Sequence, residues 1–153
     1  MAKPTTTAPT FTAVVSPADV TAACPFLGNT ELAEVLGSTE KIRQPIEVEA
    51  KPAGPSKTYH CSYALGDLYV TAFDSDELPS PLIDQKREKC EGAPSPIPGA
   101  GEVASRCDVQ GGTATVAIAK RSHKQSRIAR FDLASRTRTD AYTSLAKLLG
   151  DRL

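Results

Sequence analysis

Tyr59-His60-Cys61-Ser62-Tyr63-Ala64-Leu65, Gly66-Asp67 and Leu68-Tyr69-Val70-Thr71-Ala72-Phe73 follow one another without a break. Two runs rich in aromatic and β-branched residues enclose a two-residue Gly-Asp step, which is the sequence signature of a β-hairpin. Just upstream, Ile46, Val48 and Ala50 alternate with Glu47 and Glu49, as in a strand with one buried face. Pro52-Ala53-Gly54-Pro55 then forms the connecting loop, so the first half contributes three consecutive strands. The second half repeats the arrangement. Gly92–Gly101 reads as a Pro/Gly loop, followed by strands at Glu102–Asp108, Thr113–Lys120 and Ser126–Leu133, joined through Gly111-Gly112 and the polar turn Arg121–Gln125.

Helix signals separate and flank these triplets. Ser16-Pro17-Ala18-Asp19 combines a capping side chain, a Pro suited to the first helical position and an acid placed for a capping box. That helix is expected to end near Cys24-Pro25. A second start at Asn29-Thr30-Glu31 leads to Leu32, Val35 and Leu36 on one face, with Gly37 as C-terminal cap. Ser80-Pro81 opens a helix running toward Cys90 and stopped by Gly92. Thr139-Asp140 caps a last helix with Tyr142, Leu145, Leu148 and Leu149 in a stripe, ending at Gly150. The expected class is α+β: a mainly antiparallel sheet of about six strands with helices packed on one face, in the order α-βββ-α-βββ-α.

The four cysteines, Cys24, Cys61, Cys90 and Cys107, are too widely spaced for the paired ligands of a structural zinc site. An even number in a small domain reads as disulfides rather than buried thiols. Three pairings are open. Each half contains a helix-associated cysteine followed by a strand cysteine, a near-repetition that suggests internal duplication and favours Cys24–Cys61 with Cys90–Cys107. Staples matter here because the interior is poor in bulk: of 153 residues only 5 % are aromatic, with no Trp, so aliphatic side chains carry most of the core.

Cys24-Pro25-Phe26-Leu27-Gly28-Asn29-Thr30-Glu31-Leu32-Ala33-Glu34-Val35-Leu36-Gly37, followed by Cys61-Ser62-Tyr63 and by Gly99-Ala100-Gly101 before a later strand, resembles a family of actinobacterial cell-envelope lipoprotein domains of unknown function. The likeness spans roughly Ser16 to Leu149, and its specific parts are the first two motifs. It implies export, lipid anchoring upstream of a Thr/Pro-rich tether and a Cys24–Cys61 disulfide. It supplies no catalytic residues. Tyr63 stands where that family more often has Trp.

The length suits one domain, divided here into a Thr/Pro-rich tether at 1–13 and a disulfide-stapled domain at 14–153. Eighteen basic residues balance eighteen acidic ones, which argues against a nucleic-acid partner. No apolar run reaches the roughly 18 residues that a spanning helix needs, and no signal peptide is present. The expectation is extracytoplasmic placement, with an export signal and an anchor lying upstream of Lys3 in the full gene product.

Chemistry-bearing patterns are few. No Gly-x-Ser-x-Gly, His-Glu-x-x-His or phosphate-binding glycine loop occurs, so neither catalytic residues nor a cofactor are expected. His60 could serve as a base but a lone strand His more often packs, and His123 lies in a basic turn. Asp74, Asp76 and Glu77 fall short of a calcium loop. Lys120, Arg121, Lys124 and Arg127 at the end of one hairpin form the candidate binding surface, for anionic lipid head groups or acidic polymers; the alternative is a charged hairpin that guards an edge. Three functions remain: a non-catalytic envelope module binding a protein or an anionic surface partner, a carrier with an internal pocket for a lipid-like ligand, and a small hydrolase using His60.

Overall fold

The computed structural model describes residues 11–38, 43–53, 56–78 and 90–153. The helix expected from Ser80 toward Cys90 lies outside the described residues, Cys90 itself excepted. Seven strands form one antiparallel sheet: β1 (Ile46–Ala53), β2 (Ser56–Tyr63), β3 (Gly66–Phe73), β4 (Ser95–Pro96), β5 (Val103–Val109), β6 (Thr113–Ser122) and β7 (Gln125–Leu133). Their spatial order is β1-β2-β3-β7-β6-β5-β4. Two meanders therefore meet through their last strands, β3 and β7. The sheet has one strand more than the sequence suggests, because Ser95 and Pro96 pair with Arg106 and Ser105 at the far edge.

Among the described residues the α-helices are α1 (Asn29–Leu36) and α2 (Thr139–Arg152). The helix expected from Ser16 is replaced by an irregular strap and a 3-10 turn at Cys24–Phe26. Tertiary partners outweigh the local helix signal. The Ser16 amide donates to the Arg152 carbonyl (2.8 Å) and the Val14 amide to the Pro25 carbonyl (3.1 Å). The amides of Ala23 and Cys24 both donate to the Glu47 carboxylate, Cys24 at 2.8 Å. Glu47 thus caps the turn while remaining exposed, and Ile46, expected inside, is 57 % exposed.

Residues paired across antiparallel strands share a face, so the register sorts the sheet. One face carries Cys61, Leu68, Phe131 and Val116 in one row and Tyr59, Val70, Ala129, Ile118 and Ala104 in the next. These join Phe26 and Leu27, Leu32 of α1, and Tyr142, Leu145 and Leu149 of α2 in a single core. Tyr63 places its hydroxyl on the Leu27 carbonyl (2.6 Å), and burial pushes that phenol far above its ordinary range. α1 closes on a Schellman pair, Gly37 N–H to Glu34 and Ser38 N–H to Ala33. α2 runs through Gly150 rather than stopping there, since a Cβ at 150 would lie 2.6 Å from the Gly101 nitrogen. Gly150 is a contact point, not a cap.

The β2–β3 turn is Ala64-Leu65, with Tyr63 opposite Gly66, two residues earlier than the Gly66-Asp67 step suggests. Gly66 belongs inside the strand because a Cβ there would sit 2.3 Å from the Asp132 carbonyl oxygen of β7. No other residue lets β3 approach β7 so closely. The shift preserves which face each residue occupies but brings His60 opposite Tyr69.

Both disulfides form as the halves suggest, Cys24–Cys61 and Cys90–Cys107. They are not equivalent, however. Cys61 on β2 faces the core, whereas Cys107 on β5 shares the opposite face with Thr115 and Asp132. The cysteine spacing therefore does not mark a structural repeat.

Candidate functional site

The sheet face opposite the core holds three polar rows across β1, β2, β3 and β7. The middle row is Val48, His60, Tyr69 and Arg130; beside it on one side run Lys51, Thr58, Thr71 and Ile128, and on the other Ile46, Ser62, Asp67 and Asp132. Tyr69 lies on the central of three strands. His60 stacks on its ring (centroids 4.3 Å apart, planes 17° apart) and the Arg130 guanidinium carbon lies 4.5 Å from its centroid. An aromatic ring held between a stacked imidazole and a guanidinium gains both stacking and cation–π energy.

The acidic row orients this stack. His60 Nε2 is 2.8 Å from Asp67 Oδ1, and Arg130 Nε is 3.3 Å from Asp132 Oδ1, which also accepts the Thr115 hydroxyl at 3.0 Å. On the hydroxyl row, Thr58 and Thr71 hydrogen-bond each other at 2.9 Å. A groove of about 380 Å³ opens there, lined by Glu49, Lys51, Pro52, Thr58, His60, Tyr69 and Arg130.

Lys51 reaches this groove because β1 is bulged. Val48 pairs with His60 and Lys51 with Thr58, so two residues of β1 face one of β2. In a regular strand the residue at 51 would point to the core face; the extra residue turns it to the groove. Bulges on edge strands commonly re-aim a side chain in this way. The Lys51 side chain forms no hydrogen bond or ion pair among the described residues.

The basic hairpin is arranged differently from the sequence expectation. Lys120, Arg121, Lys124 and Arg127 do share the end of the β6–β7 hairpin, but they do not gather into one solvent-facing cation cluster. Arg127 is 0 % exposed and donates to the main-chain oxygens of Leu153 (2.9 Å) and Ala18 (3.1 Å) and to Gln125. Burial lowers its pKa, partly offset by Asp19. Lys120 donates to the Gly150 carbonyl at 3.3 Å. Arg121 grips Glu102 with its side chain (2.6 Å) and its backbone amide (2.6 Å). Those hydrogen bonds bring the Glu102 carboxyl down to about 2 and raise Arg121. Lys124 remains exposed at the turn, where His123 and Lys124 adopt φ of 52° and 61°. His123 Nε2 meets the Ser16 carbonyl oxygen at 2.7 Å. This end of the hairpin clasps the N-terminal strap and the end of α2.

Asp74, Asp76 and Glu77 are exposed, with Gln125 donating to Asp74 at 3.0 Å. Among the described residues no group of three His, Cys, Asp or Glu side chains is placed to hold a metal ion. The His60–Asp67 pair has the form of an oriented base, but no described hydroxyl or thiol hydrogen-bonds the His60 ring. Tyr69, Arg130, Asp67 and Lys51 were not singled out by sequence. The alternation of His60 with Thr58 and Ser62, and of Tyr69 with Asp67 and Thr71, contained the signal for a polar face.

No family model, curated protein or solved structure matches this chain. Two disulfides point to an oxidising, extracytoplasmic environment. Among the described residues no helix is long and apolar enough to cross a membrane.

Proposed function

We propose that this chain is a non-catalytic binding module of a cell-envelope lipoprotein, held at the surface by an anchor upstream of its Thr/Pro-rich segment, and that it engages an anionic surface polymer. The kinship to actinobacterial envelope domains belongs to the same proposal. The observation that carries the reading is the polar sheet face: a stack of His60, Tyr69 and Arg130, oriented by Asp67 and Asp132, beside a groove with Lys51 turned into it. Fixed polar groups around a concavity are what a binding site needs. The test is co-sedimentation of the oxidised protein with isolated anionic and neutral wall polymers at low and raised salt. Salt-sensitive retention by the anionic polymers alone is expected; equal retention by both, or none, rejects the proposal.

A second reading, hydrolysis with His60 as base, is favoured by one contact, the His60–Asp67 pair at 2.8 Å. A hydrolytic activity that disappears in His60→Ala while the fold persists would establish it in place of the first.

A further inference from the structure

The polar face has a chemical asymmetry that narrows its ligand. On the side of the acidic row, both carboxylates are engaged, Asp67 by His60 and Asp132 by Arg130 and Thr115. On the groove side, the cationic groups are Lys51 and Arg130 and the acid is Glu49, with the Thr58 hydroxyl on the floor and His60 between. With Nε2 occupied by Asp67, the second ring nitrogen of His60 remains for a ligand. When Nε2 carries the proton, that nitrogen accepts.

We propose that the groove binds one acidic sugar unit, a uronate, of an anionic polysaccharide; this rests on the binding-module reading above. A uronate presents one carboxylate and several hydroxyls on a single ring. Its carboxylate matches the Lys51 ammonium, which has no ion pair among the described residues. Its hydroxyls match the acceptors Glu49 and His60 and the two-way hydroxyl of Thr58. Pro52 and Tyr69 in the groove lining supply apolar surface for a sugar ring's C–H face. A phosphodiester chain fits less well, because Glu49 would then face a ligand with few donors. The groove volume of about 380 Å³ falls at the small end of ligand pockets, roughly 300–1,000 Å³, which suits one or two sugar units.

The bulge gives the inference its specific test. Lys51→Glu and Thr58→Val change the groove without touching the core, and Lys124→Glu on the exposed hairpin turn is the control. Binding to a fluorescent polyuronate, to a neutral glucan and to a glycerol-phosphate polymer is measured by anisotropy, with thermal unfolding of each variant alongside. Reversing Lys51 removes one attraction to the anionic chain and adds one repulsion, so polyuronate binding weakens about 30-fold, and Lys124→Glu changes it less than about twofold. Polyuronate binding that is insensitive to Lys51→Glu and Thr58→Val overturns the groove while leaving the module's function standing. Tighter binding of the glycerol-phosphate polymer overturns the uronate assignment. Binding of none of the three polymers removes this inference together with the reading beneath it.

Discussion

Replacing Cys24 and Cys61 together by Ala separates the two staples, because the loops they close, with sequence separations of 37 and 17, do not overlap. Loop-closure entropy assigns about 3.8 kcal/mol to Cys24–Cys61 and about 3.1 kcal/mol to Cys90–Cys107 at 25 °C. The first bond also lies inside the core, with Cys61 0 % exposed. Losing its sulfur contacts there adds a packing loss of about 1 kcal/mol. It further pins the 3-10 turn whose amides rest on Glu47. The Cys24→Ala/Cys61→Ala protein should therefore lose about 5 kcal/mol, against about 3 kcal/mol for Cys90→Ala/Cys107→Ala, out of a total that for such domains is about 5–15 kcal/mol. Urea unfolding followed by far-UV circular dichroism measures both, with a dithiothreitol arm on the parent protein approaching the sum. The reasoning fails if Cys90–Cys107 proves the more stabilising bond, or if either double variant loses less than about 1 kcal/mol.

Three further outcomes follow from individual contacts. The Arg152 guanidinium grips both oxygens of Glu31, which also accepts the Gly28 amide, and this holds the Glu31 carboxyl below its ordinary 4.5. A depressed carboxyl contributes stability that is present above its unfolded value and is lost as pH falls through its folded value. Glu31→Gln should cost about 2 kcal/mol at pH 7, with the difference from the parent shrinking below pH 4.5 in denaturation curves taken across that range. Lys124→Gly should stabilise by about 0.5 kcal/mol, since it relieves a left-handed non-Gly residue; a lower melting temperature would refute the turn geometry. Arg127→Met should cost about 2–4 kcal/mol by leaving the buried Leu153 main-chain oxygen and the part-buried Ala18 carbonyl without their donor, with polymer binding unchanged in the protein that remains folded by circular dichroism.

The strands were legible because their alternation is strong: Leu68, Val70 and Ala72 against Asp67, Tyr69 and Thr71 place the same faces under either turn. The turn itself was not. Gly66-Asp67 carries the better local signal, and only the close approach of β3 to Asp132 of β7, a contact far away in sequence, moves the glycine into the strand. Ser16-Pro17 illustrates the same limit at the N-terminus, where the strap forgoes helical hydrogen bonds for Arg152 and Glu47. Arg127 had a readable position but an unreadable environment. A cation in a basic stretch reads as surface, while the register puts it on the core face beside Ala72 and Lys120.

That exchange between hairpin and sheet face has a physical logic. Three cations of the β6–β7 hairpin, Lys120, Arg121 and Arg127, have partners fixed by the chain: main-chain oxygens at the end of α2, Glu102, and the strap at Ala18. Their charge is spent holding three distant segments together, so an anionic ligand there would have to displace structural hydrogen bonds. On the polar face the balance is reversed. Asp67 and Asp132 hold the His60 and Arg130 side chains from behind, and the edge-strand bulge delivers Lys51 without a carboxylate of its own. A site with one cation, Lys51, outside any ion pair among the described residues loses less on binding an anion than one whose cations are already paired in the fold. Under the proposed binding function, Lys51, absent from any motif, is therefore favoured over the denser run of basic residues as the contact for a charged ligand.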